Sequence, residues 1–126
     1  MLGYMTIGAL DTAASAKFYD AVLDAIGYAR NTTDGDWLGW GPKGDAKSLI
    51  YICPPFDGQP ARAGNGIMIA IRAGTQDMVR AAHTAALKNG GMDEGAPGPR
   101  PADSKDYYGA YMRDPTGNKI CIFWKP

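Results

Sequence analysis

The side chain with the most reactive chemistry in this sequence is the thiol of Cys121. It lies in the apolar run Lys119–Trp124, with Lys119 and Phe123 at the neighbouring alternate positions. A nearby cation favours the thiolate, which is the nucleophilic form of cysteine. The sequence pattern positions no histidine base beside it, because the single histidine, His83, falls in a helical pattern elsewhere. Cys121 is therefore a candidate nucleophile or redox sensor, and the competing role is that of a small buried side chain.

Four other side chains have chemistry that suits a binding site. Tyr4 can donate a hydrogen bond to a ligand, although a strand tyrosine is commonly only a packed ring. Met68 and Cys121 could form a soft sulfur site for copper, with an adaptable apolar wall as the ordinary alternative for Met68. Arg72 and Arg113 could bind a carboxylate or phosphate, although arginines at strand ends are commonly exposed.

A hairpin over residues 107–124 must position Cys121. Asp114 can accept hydrogen bonds from the following backbone, Pro115 fixes φ at the first corner, and Gly117 can adopt the left-handed conformation that closes the turn. After the turn the side chains alternate between two faces. One face, toward a hydrophobic layer, carries Ile120, Ile122 and Trp124; the other, toward a concave surface, carries Lys119, Cys121 and Phe123.

The rest of the sequence repeats one order of elements, a strand, a helix and further strands. The first half predicts a strand at 2–9, a helix from Asp11 or Thr12 to Gly27, and strands at 28–32, 37–41 and 48–53. The second half predicts a strand at 67–72, a helix at 76–89 and the hairpin. Residues 93–106 are rich in proline and lack apolar periodicity, which predicts a long loop that is either a lid or a mobile segment.

This repeated order predicts an α+β fold. We expect a single domain over residues 1–126, with one module at about 1–56 and a second at about 66–126. Each helix can cover one face of its own strands, and the other strand faces together form a cup in a curved, mostly antiparallel sheet. Aromatic residues are concentrated on these strands, namely Trp37, Trp40, Tyr107, Tyr108, Tyr111 and Phe123. Half of them must face the helices, and alternation alone leaves the register of the strand 107–111 open.

The composition excludes several classes of function. Thirteen basic and thirteen acidic side chains cancel, so the charge balance favours neither nucleic acid nor an anionic membrane as a partner. The apolar runs are far shorter than the roughly 20 residues that a membrane-spanning helix needs, and no signal-peptide pattern opens the sequence. Two cysteines without CxxC spacing predict reduced thiols and a cytoplasmic protein.

Three segments together resemble the vicinal oxygen chelate superfamily, also called the glyoxalase/bleomycin resistance/dioxygenase family. They are GYMTIGALDTAASAKFYDAVLDAIGY near the start, GNGIMIAI in the middle and YYGAYMRDPTGNKICIF near the end. The DPxGN turn of the family is matched by Asp114, Pro115, Gly117 and Asn118. The resemblance implies two βαβββ-type modules with helices outside and a cup for a small molecule.

Enzymes of this family typically bind a divalent metal through two histidines and one glutamate. Carried over by position, the resemblance assigns these three slots to Tyr4, Met68 and Cys121, none of which matches. We therefore expect no metal site and no cofactor. This departure weighs against the metal-dependent isomerisation, ring cleavage and thiol addition that are typical of the family.

We accordingly predict a glyoxalase/bleomycin-resistance-like protein that lacks the usual metal triad and binds a small, partly aromatic or apolar molecule in the cup. The alternative is a glyoxalase-like enzyme, related to lyases, isomerases or dioxygenases, with an atypical or metal-independent site in which Tyr4 or Cys121 acts. A structural module whose cup is filled by Met68 and aromatic rings is a third hypothesis. The predicted ligand-binding residues are Tyr4, Thr6, Met68, Arg72, Tyr108, Tyr111, Arg113, Cys121 and Phe123. The resemblance also implies a homodimer, and the sequence does not distinguish a cup within one chain from a cup shared by two.

Overall fold

The computed structural model describes residues 1–126 as two βαβββ modules. The first contains strand β1 (Met5–Gly8), helix α1 (Thr12–Asp24) and strands β2 (Tyr28–Asp34), β3 (Trp37–Pro42) and β4 (Ile50–Cys53). The second contains strand β5 (Ile69–Arg72), helix α2 (Gln76–Lys88) and strands β6 (Met92–Pro99), β7 (Tyr108–Arg113) and β8 (Lys119–Trp124). The predicted α+β class and repeated order of elements are confirmed.

Each module builds one four-stranded sheet. The strand orders are β1-β4-β3-β2 and β5-β8-β7-β6, so the helix after β1 or β5 carries the chain across to the far edge of the sheet. In each sheet one pair is parallel, β1 with β4 and β5 with β8, and the other two pairs are antiparallel. No ladder joins the two sheets, and both remain open rather than closing into a barrel.

The helices begin at side-chain caps. Asp11 accepts a hydrogen bond from the backbone N–H of Ala14 at 3.0 Å, and Thr75 accepts one from Met78 at 3.1 Å. These bonds satisfy donors that the first helical turn leaves unpaired. After α1 the chain turns at Gly27, whose φ of 86° is in the left-handed region that glycine adopts without strain. Neither helix is long and apolar enough to span a membrane.

The two modules share one hydrophobic core on the helical side of both sheets. Helices α1 and α2 pack against each other, α1 also contacts β2 and β4, and α2 also contacts β6, β7 and β8. A single cluster of 21 buried residues runs through both modules. It includes Phe18 and Val22 of α1, Val79 of α2, and Ile120 and Ile122 of β8. Because this core occupies only the helical side, the opposite face of each sheet is left for other contacts.

The predicted loop at 93–106 is wrong over its first half, because residues 93–99 belong to strand β6. This strand lies at the edge of its sheet and pairs only with β7. Proline lacks an N–H but is tolerated on an edge strand, where half of the backbone groups have no ladder partner. Register shifts between Asp93 and Gly95, and between Gly95 and Gly98, remove the regular alternation that sequence patterns depend on. Only the short segment 100–107 remains as a connection.

Candidate functional site

Each sheet has a face turned away from its helix, and these two faces differ in what covers them. We call the face of the first sheet, with Tyr4, Thr6, Thr32, Asp34, Trp37 and Tyr51, the first open face. We call the face of the second sheet, with Tyr107, Tyr111, Cys121 and Phe123, the second open face. The alternation of side chains along the strands separates both faces from the shared core.

Three aromatic rings lie together on the first open face. The ring centroids of Tyr4 and Tyr51 are 5.6 Å apart and their planes meet at 82°. The centroids of Trp37 and Tyr51 are 5.9 Å apart, with planes at 59°. Such edge-to-face and tilted pairs are favourable arrangements for aromatic rings. Tyr4 is 65% exposed and Trp37 is 45% exposed, so large ring surfaces remain in contact with water.

Two cavities on the first open face meet at Trp37. One, of about 330 Å³, is lined by Tyr4, Thr32, Asp34, Trp37 and Tyr51. The other, of about 640 Å³, is lined by Thr6, Gly8, Asp36, Trp37, Cys53, Pro54, Pro55 and Phe56. Both volumes are in the range of small-molecule sites. The linings come only from the first module, so these cavities exist without any contribution from the second.

In the sheet beneath these cavities, a glycine at position 39 leaves room for the ring of Tyr51. Gly39 of β3 lies below Tyr51, and a Cβ atom there would come within 2.9 Å of the Tyr51 ring and 2.5 Å of the Ser48 hydroxyl. Glycine therefore allows Tyr51 to lie close to the strand, where it contacts both Tyr4 and Trp37.

The second open face is instead filled by its own aromatic rings. The ring of Tyr107 stacks on Phe123 with centroids 5.7 Å apart and an interplanar angle of 6°. The Tyr107 hydroxyl lies 3.0 Å from the hydroxyl of Tyr111 and 3.3 Å from the Sγ atom of Cys121. A Cβ atom on Gly109 would come within 2.7 Å of the Tyr107 ring, so glycine is required for this close approach.

Tyr107 thereby covers Cys121, the residue singled out for its thiol. Cys121 faces away from the helical core, as the alternation predicts, but it is 0% exposed. The pKa of the Cys121 thiol is raised, because the effect of burial exceeds the opposing effect of the hydrogen bonds with Tyr107 and Tyr111. Burial also raises the pKa of the Tyr107 phenol. A buried thiol with a raised pKa holds little thiolate, so this environment suits packing better than nucleophilic attack.

The basic residues of the second open face are already paired. The guanidinium of Arg100 lies 5.5 Å from the centre of the Tyr111 ring, and the ammonium of Lys119 lies 6.0 Å from it. Arg113 donates to the carboxylate of Glu94 at 2.6 Å and to the Gly117 carbonyl at 3.0 Å. The pKa of Glu94 is consequently lowered, chiefly by the hydrogen bond from Arg113. Arg113 therefore stabilises the hairpin, and its charge is paired with Glu94 and not free for an anionic ligand.

Tyr108 lies on the opposite side of β7 from the site to which the sequence hypothesis assigned it. It packs against the core, and its hydroxyl accepts a hydrogen bond from Arg80 of α2 at 3.0 Å. The neighbouring Tyr107 occupies the open face instead. This correction follows from the register, since Gly109 pairs with Phe123 and Tyr111 pairs with Cys121. Tyr111 and Phe123 lie on the second open face, as the sequence hypothesis requires.

The remaining predicted ligand-binding residues do not share one site, although Tyr4 and Arg72 both line a separate cavity of about 220 Å³. Tyr4 and Thr6 line cavities on the first open face. Met68 precedes β5 and is 43% exposed, and neither it nor Cys121 lines the main cavities. Arg72 donates a hydrogen bond to the Lys125 carbonyl at 3.0 Å. The sequence hypothesis missed Tyr51 and Asp34, and the alternation of Tyr51 with Ile50 and Ile52 was the available signal for the tyrosine.

The resemblance assigned the metal-ligand positions of the family to Tyr4, Met68 and Cys121. Tyr4 offers a phenol on the first open face and Met68 offers a thioether, whereas the thiol of Cys121 is buried beneath Tyr107. No group of three or more histidine, cysteine, aspartate or glutamate side chains is arranged to hold a metal ion. Divalent zinc, iron and nickel need imidazole, carboxylate or thiolate ligands in such a group. The residues at these positions therefore do not fit the family metal.

The DPTGN turn has a structural role that joins the modules. The Oδ1 atom of Asp114 accepts hydrogen bonds from the backbone N–H groups of Thr116, Gly117 and Asn118, each at 2.9 Å. Its Oδ2 atom accepts from the buried Tyr19 hydroxyl at 2.7 Å and from the Asn118 side chain at 2.9 Å. The pKa of Tyr19 is raised by burial first and by Asp114 second. The turn residues Asn118 and Thr116 also bond to the backbone of Gly8 and Leu10.

His83 likewise has a structural environment. It is buried on α2, and its Nε2 atom lies 2.9 Å from a carboxylate oxygen of Asp93 on β6. This contact lowers the pKa of Asp93. His83 thus connects α2 to the edge strand of its sheet. It lines neither of the two cavities on the first open face.

Comparison with known proteins agrees with this architecture. The chain matches the family model of the glyoxalase-like domain over residues 4–123. A solved glyoxalase/bleomycin resistance protein from Albidiferax ferrireducens is 34% identical, with a TM-score of 0.88 over 100% of this chain and 99% of that chain. A glyoxalase-related enzyme from Fulvimarina pelagi is 19% identical, with a TM-score of 0.74 over 100% of this chain and 88% of that one. No curated protein matches.

The fold and the extent of these matches define a protein of two paired βαβββ modules with an open sheet face. The chain belongs to the glyoxalase/bleomycin resistance/dioxygenase family.

Proposed function

We propose that this protein binds a small, flat, partly aromatic or apolar molecule on the first open face. The observation that carries the proposal is the cluster of Tyr4, Trp37 and Tyr51, which lies against a cavity of about 330 Å³ with its rings partly exposed. A cavity of mainly apolar walls with a few polar groups is the usual form of a small-molecule site. Thr32 and Asp34 supply the polar groups here.

The exposed rings provide a favourable free energy for a flat ligand. Removing about 150 Å² of apolar surface from water contributes about 4 kcal/mol. Ring-on-ring contacts add about 0.5–1.5 kcal/mol beyond the buried area. The Tyr4 and Tyr51 planes meet at 82°, so a ligand ring can lie against one face and meet the edge of the other.

The second open face is a poorer binding site. Tyr107 already occupies it by stacking on Phe123 and covering Cys121. The third hypothesis was a cup filled by Met68 and aromatic rings; on this face aromatic rings do the filling, whereas Met68 is 43% exposed. The burial and raised pKa of the Cys121 thiol also count against the alternative of a cysteine-based enzyme.

The proposal includes a homodimer in a reducing cytoplasm. Ile67, Met68 and Phe56 are large apolar side chains left exposed by the single chain, and a second copy would cover part of this surface. Both Cys53 and Cys121 are free thiols, which suits a reducing compartment. Light scattering across a concentration series tests the dimer, and a constant monomer mass at high concentration would contradict it.

Binding is tested with 2-naphthol as a flat aromatic probe, and native mass spectrometry of the purified protein is used to find a co-purified molecule. Titration of 2-naphthol is followed by the fluorescence of 2-naphthol itself, so that the same readout applies to a variant that lacks the exposed Trp37. Trp37→Leu should weaken probe binding about tenfold, which corresponds to about 1.4 kcal/mol of lost contact. Tyr111→Leu, an aromatic deletion on the second open face, is the matched control and should leave the dissociation constant unchanged.

Two results would contradict the proposal. One is an absence of saturable binding by aromatic probes in the unmodified protein. The other is a loss of binding in Tyr111→Leu with full binding in Trp37→Leu, which would move the site to the second open face. Far-ultraviolet circular dichroism of both variants checks that each keeps the native fold.

A further inference from the structure

Three aromatic rings elsewhere in this protein, those of Trp40, Tyr108 and Tyr111, have at least one of the protein's own cations beside them. The distances from the charged group to the ring centre are 5.4 Å for Arg30 over Trp40, 5.5 Å for Arg80 over Tyr108, 5.5 Å for Arg100 over Tyr111 and 6.0 Å for Lys119 over Tyr111. A cation within about 6 Å of a ring centre is attracted by the negative face of the ring. The chain thus satisfies these ring faces internally.

The exposed rings of the first open face have no such cation. None of the four cation–ring contacts involves Tyr4, Trp37 or Tyr51. The residues that line the two cavities there include no lysine, arginine or histidine. The three rings also meet at steep angles, 82° for Tyr4 with Tyr51 and 59° for Trp37 with Tyr51. Rings at such angles form the adjoining walls of a cage whose faces can surround one cationic group.

Two carboxylates make the same cavities acidic. Asp34 lines the smaller cavity and Asp36 the larger one, on either side of their shared wall at Trp37. Neither takes part in an ion pair of this chain. The negative charge of Asp36 reaches into the larger cavity, since it adds to the effect of burial in raising the pKa of Cys53. An uncompensated negative potential beside exposed ring faces is complementary to a positive ligand.

We propose that the first open face selects an organic cation, namely a quaternary or alkylated ammonium group joined to a flat apolar part. This inference rests on the proposed function and assigns the charge of its ligand. The cationic group would contact the faces of Tyr4, Tyr51 and Trp37 near Asp34, and the flat part would extend past Trp37 into the larger cavity. An alkylated ammonium fits these walls because it is weakly hydrated and needs no hydrogen-bond acceptor for each of its substituents.

Three probes of one shape and different charge test the proposal. They are phenyltrimethylammonium, its neutral isostere tert-butylbenzene, and the anion benzenesulfonate, each titrated while Trp37 fluorescence and the tyrosine ring proton resonances are recorded. Phenyltrimethylammonium should bind about tenfold more tightly than tert-butylbenzene, and benzenesulfonate should bind most weakly. Added sodium chloride should weaken binding of the cation and leave binding of the neutral probe unchanged, since salt screens exposed charges.

A pair of charge-matched variants locates the effect. Asp34→Asn with Asp36→Asn removes both carboxylates of the first open face. Asp103→Asn with Asp106→Asn removes two exposed carboxylates from the connection 100–107 and changes the net charge equally. The first variant should reduce the preference for phenyltrimethylammonium over tert-butylbenzene by about fivefold, and the second should retain the full preference.

The outcomes separate this inference from the proposed function. Equal binding of the cationic and neutral probes, with no effect of either double substitution, would overturn the selection of a cation while the aromatic site remained. A failure of all three probes and of 2-naphthol to bind would overturn both. Equal loss of preference in the two double variants would show a general charge effect and would also overturn the assignment to the first open face.

Discussion

The hydrogen bond between Tyr19 and Asp114 gives the most direct test of how the two modules are joined. Tyr19 is fully buried on α1, and its hydroxyl donates to the Oδ2 atom of Asp114 at 2.7 Å across the boundary between the modules. Tyr19→Phe removes the hydroxyl and keeps the ring in the core. The expected effect is therefore the loss of one buried hydrogen bond without a large cavity.

The magnitude follows from what Asp114 retains. A hydrogen bond to a charged group contributes about 1.5–3 kcal/mol to the free energy of unfolding. Asp114 keeps four other donors in the variant, three backbone N–H groups and the Asn118 side chain, so its carboxylate is not stranded. We therefore expect a loss of about 2 kcal/mol. At a typical unfolding entropy for a domain of this size, that loss lowers the melting temperature by about 8 °C.

The assay is urea unfolding combined with thermal melting, and Tyr28→Phe is the matched control. Tyr28 is half-buried against the same core, and its hydroxyl has no partner within the chain. The control should melt within about 1 °C of the unmodified protein. The pKa of Tyr19 is raised in the folded state, so its contribution is present below the unfolded pKa of about 10 and is lost as pH rises through the folded pKa. The stability difference between Tyr19→Phe and the unmodified protein should accordingly shrink at strongly alkaline pH.

The reasoning is refuted if Tyr19→Phe and Tyr28→Phe melt at the same temperature. It is also refuted if Tyr19→Phe is equally destabilising in a background where Asp114 has been replaced by alanine, which removes the acceptor of the hydrogen bond. In that double-mutant cycle, a coupling energy close to zero would mean that the hydroxyl acts through packing alone.

Three other predictions concern the second sheet. Ile122→Ala should lower the free energy of unfolding by about 2–5 kcal/mol, because it opens a cavity in the core. Cys121→Ser should lower it by less, because the Tyr107 hydroxyl can form a hydrogen bond with the new hydroxyl. If urea unfolding shows the opposite order, the side chains of β8 face the other way. Tyr107→Ala should increase the rate at which Cys121 reacts with a thiol reagent under native conditions. Tyr107→Phe keeps the ring that covers Cys121 and should leave this rate unchanged. Equal rates in the two variants would show that the ring does not protect the thiol. Glu94 has a lowered pKa, so its ion pair with Arg113 stabilises the protein above the unfolded pKa of about 4 and is lost as pH falls through the folded value. The destabilisation caused by Glu94→Gln should therefore be present at neutral pH and vanish in acid, and a pH-independent difference would contradict the assignment.

The repeated α+β order could be predicted because local signals agree with the tertiary structure over most of the chain. The period of Phe18 and Val22 predicts a helix, and Gly27, which has a positive φ, turns the chain shortly after the helix ends at Asp24. The alternation in β8 places Ile120 and Ile122 in the core, as predicted. In these segments the pattern of burial and the backbone conformation carry the same information.

Strand β6 and the face of Tyr107 could not be predicted from local patterns. The edge position of β6 and its register shifts depend on β7, which lies elsewhere in the sequence. Tyr107 and Tyr108 are adjacent identical residues, and only the pairing of β7 with β8 decides which of them reaches the open face. A sequence pattern that contains no partner strand cannot supply that register.

The candidate site was predicted only in outline. Tyr4 and Thr6 were assigned to it, but the hypothesis centred on Cys121 because its thiol is the most reactive group. The ring of Tyr107 buries that thiol, and this contact depends on Gly109, whose significance appears only in three dimensions. The cavity that we propose as the binding site lies on the first sheet, beside Trp37 and Tyr51.

The bonds of the DPTGN turn also constrain when this protein can fold during its synthesis. Asp114 follows Tyr19 by 95 residues, and Asn118 follows Gly8 by 110. Bonds of such long sequence separation cannot form until nearly all of the intervening chain has left the ribosome. The first module therefore emerges with the Tyr19 hydroxyl unpaired and its side of the core uncovered, and it must wait for the second module before it is complete. We therefore expect the two modules to fold as one cooperative unit, and we expect a chain halted between the modules to be a target for chaperones and proteases.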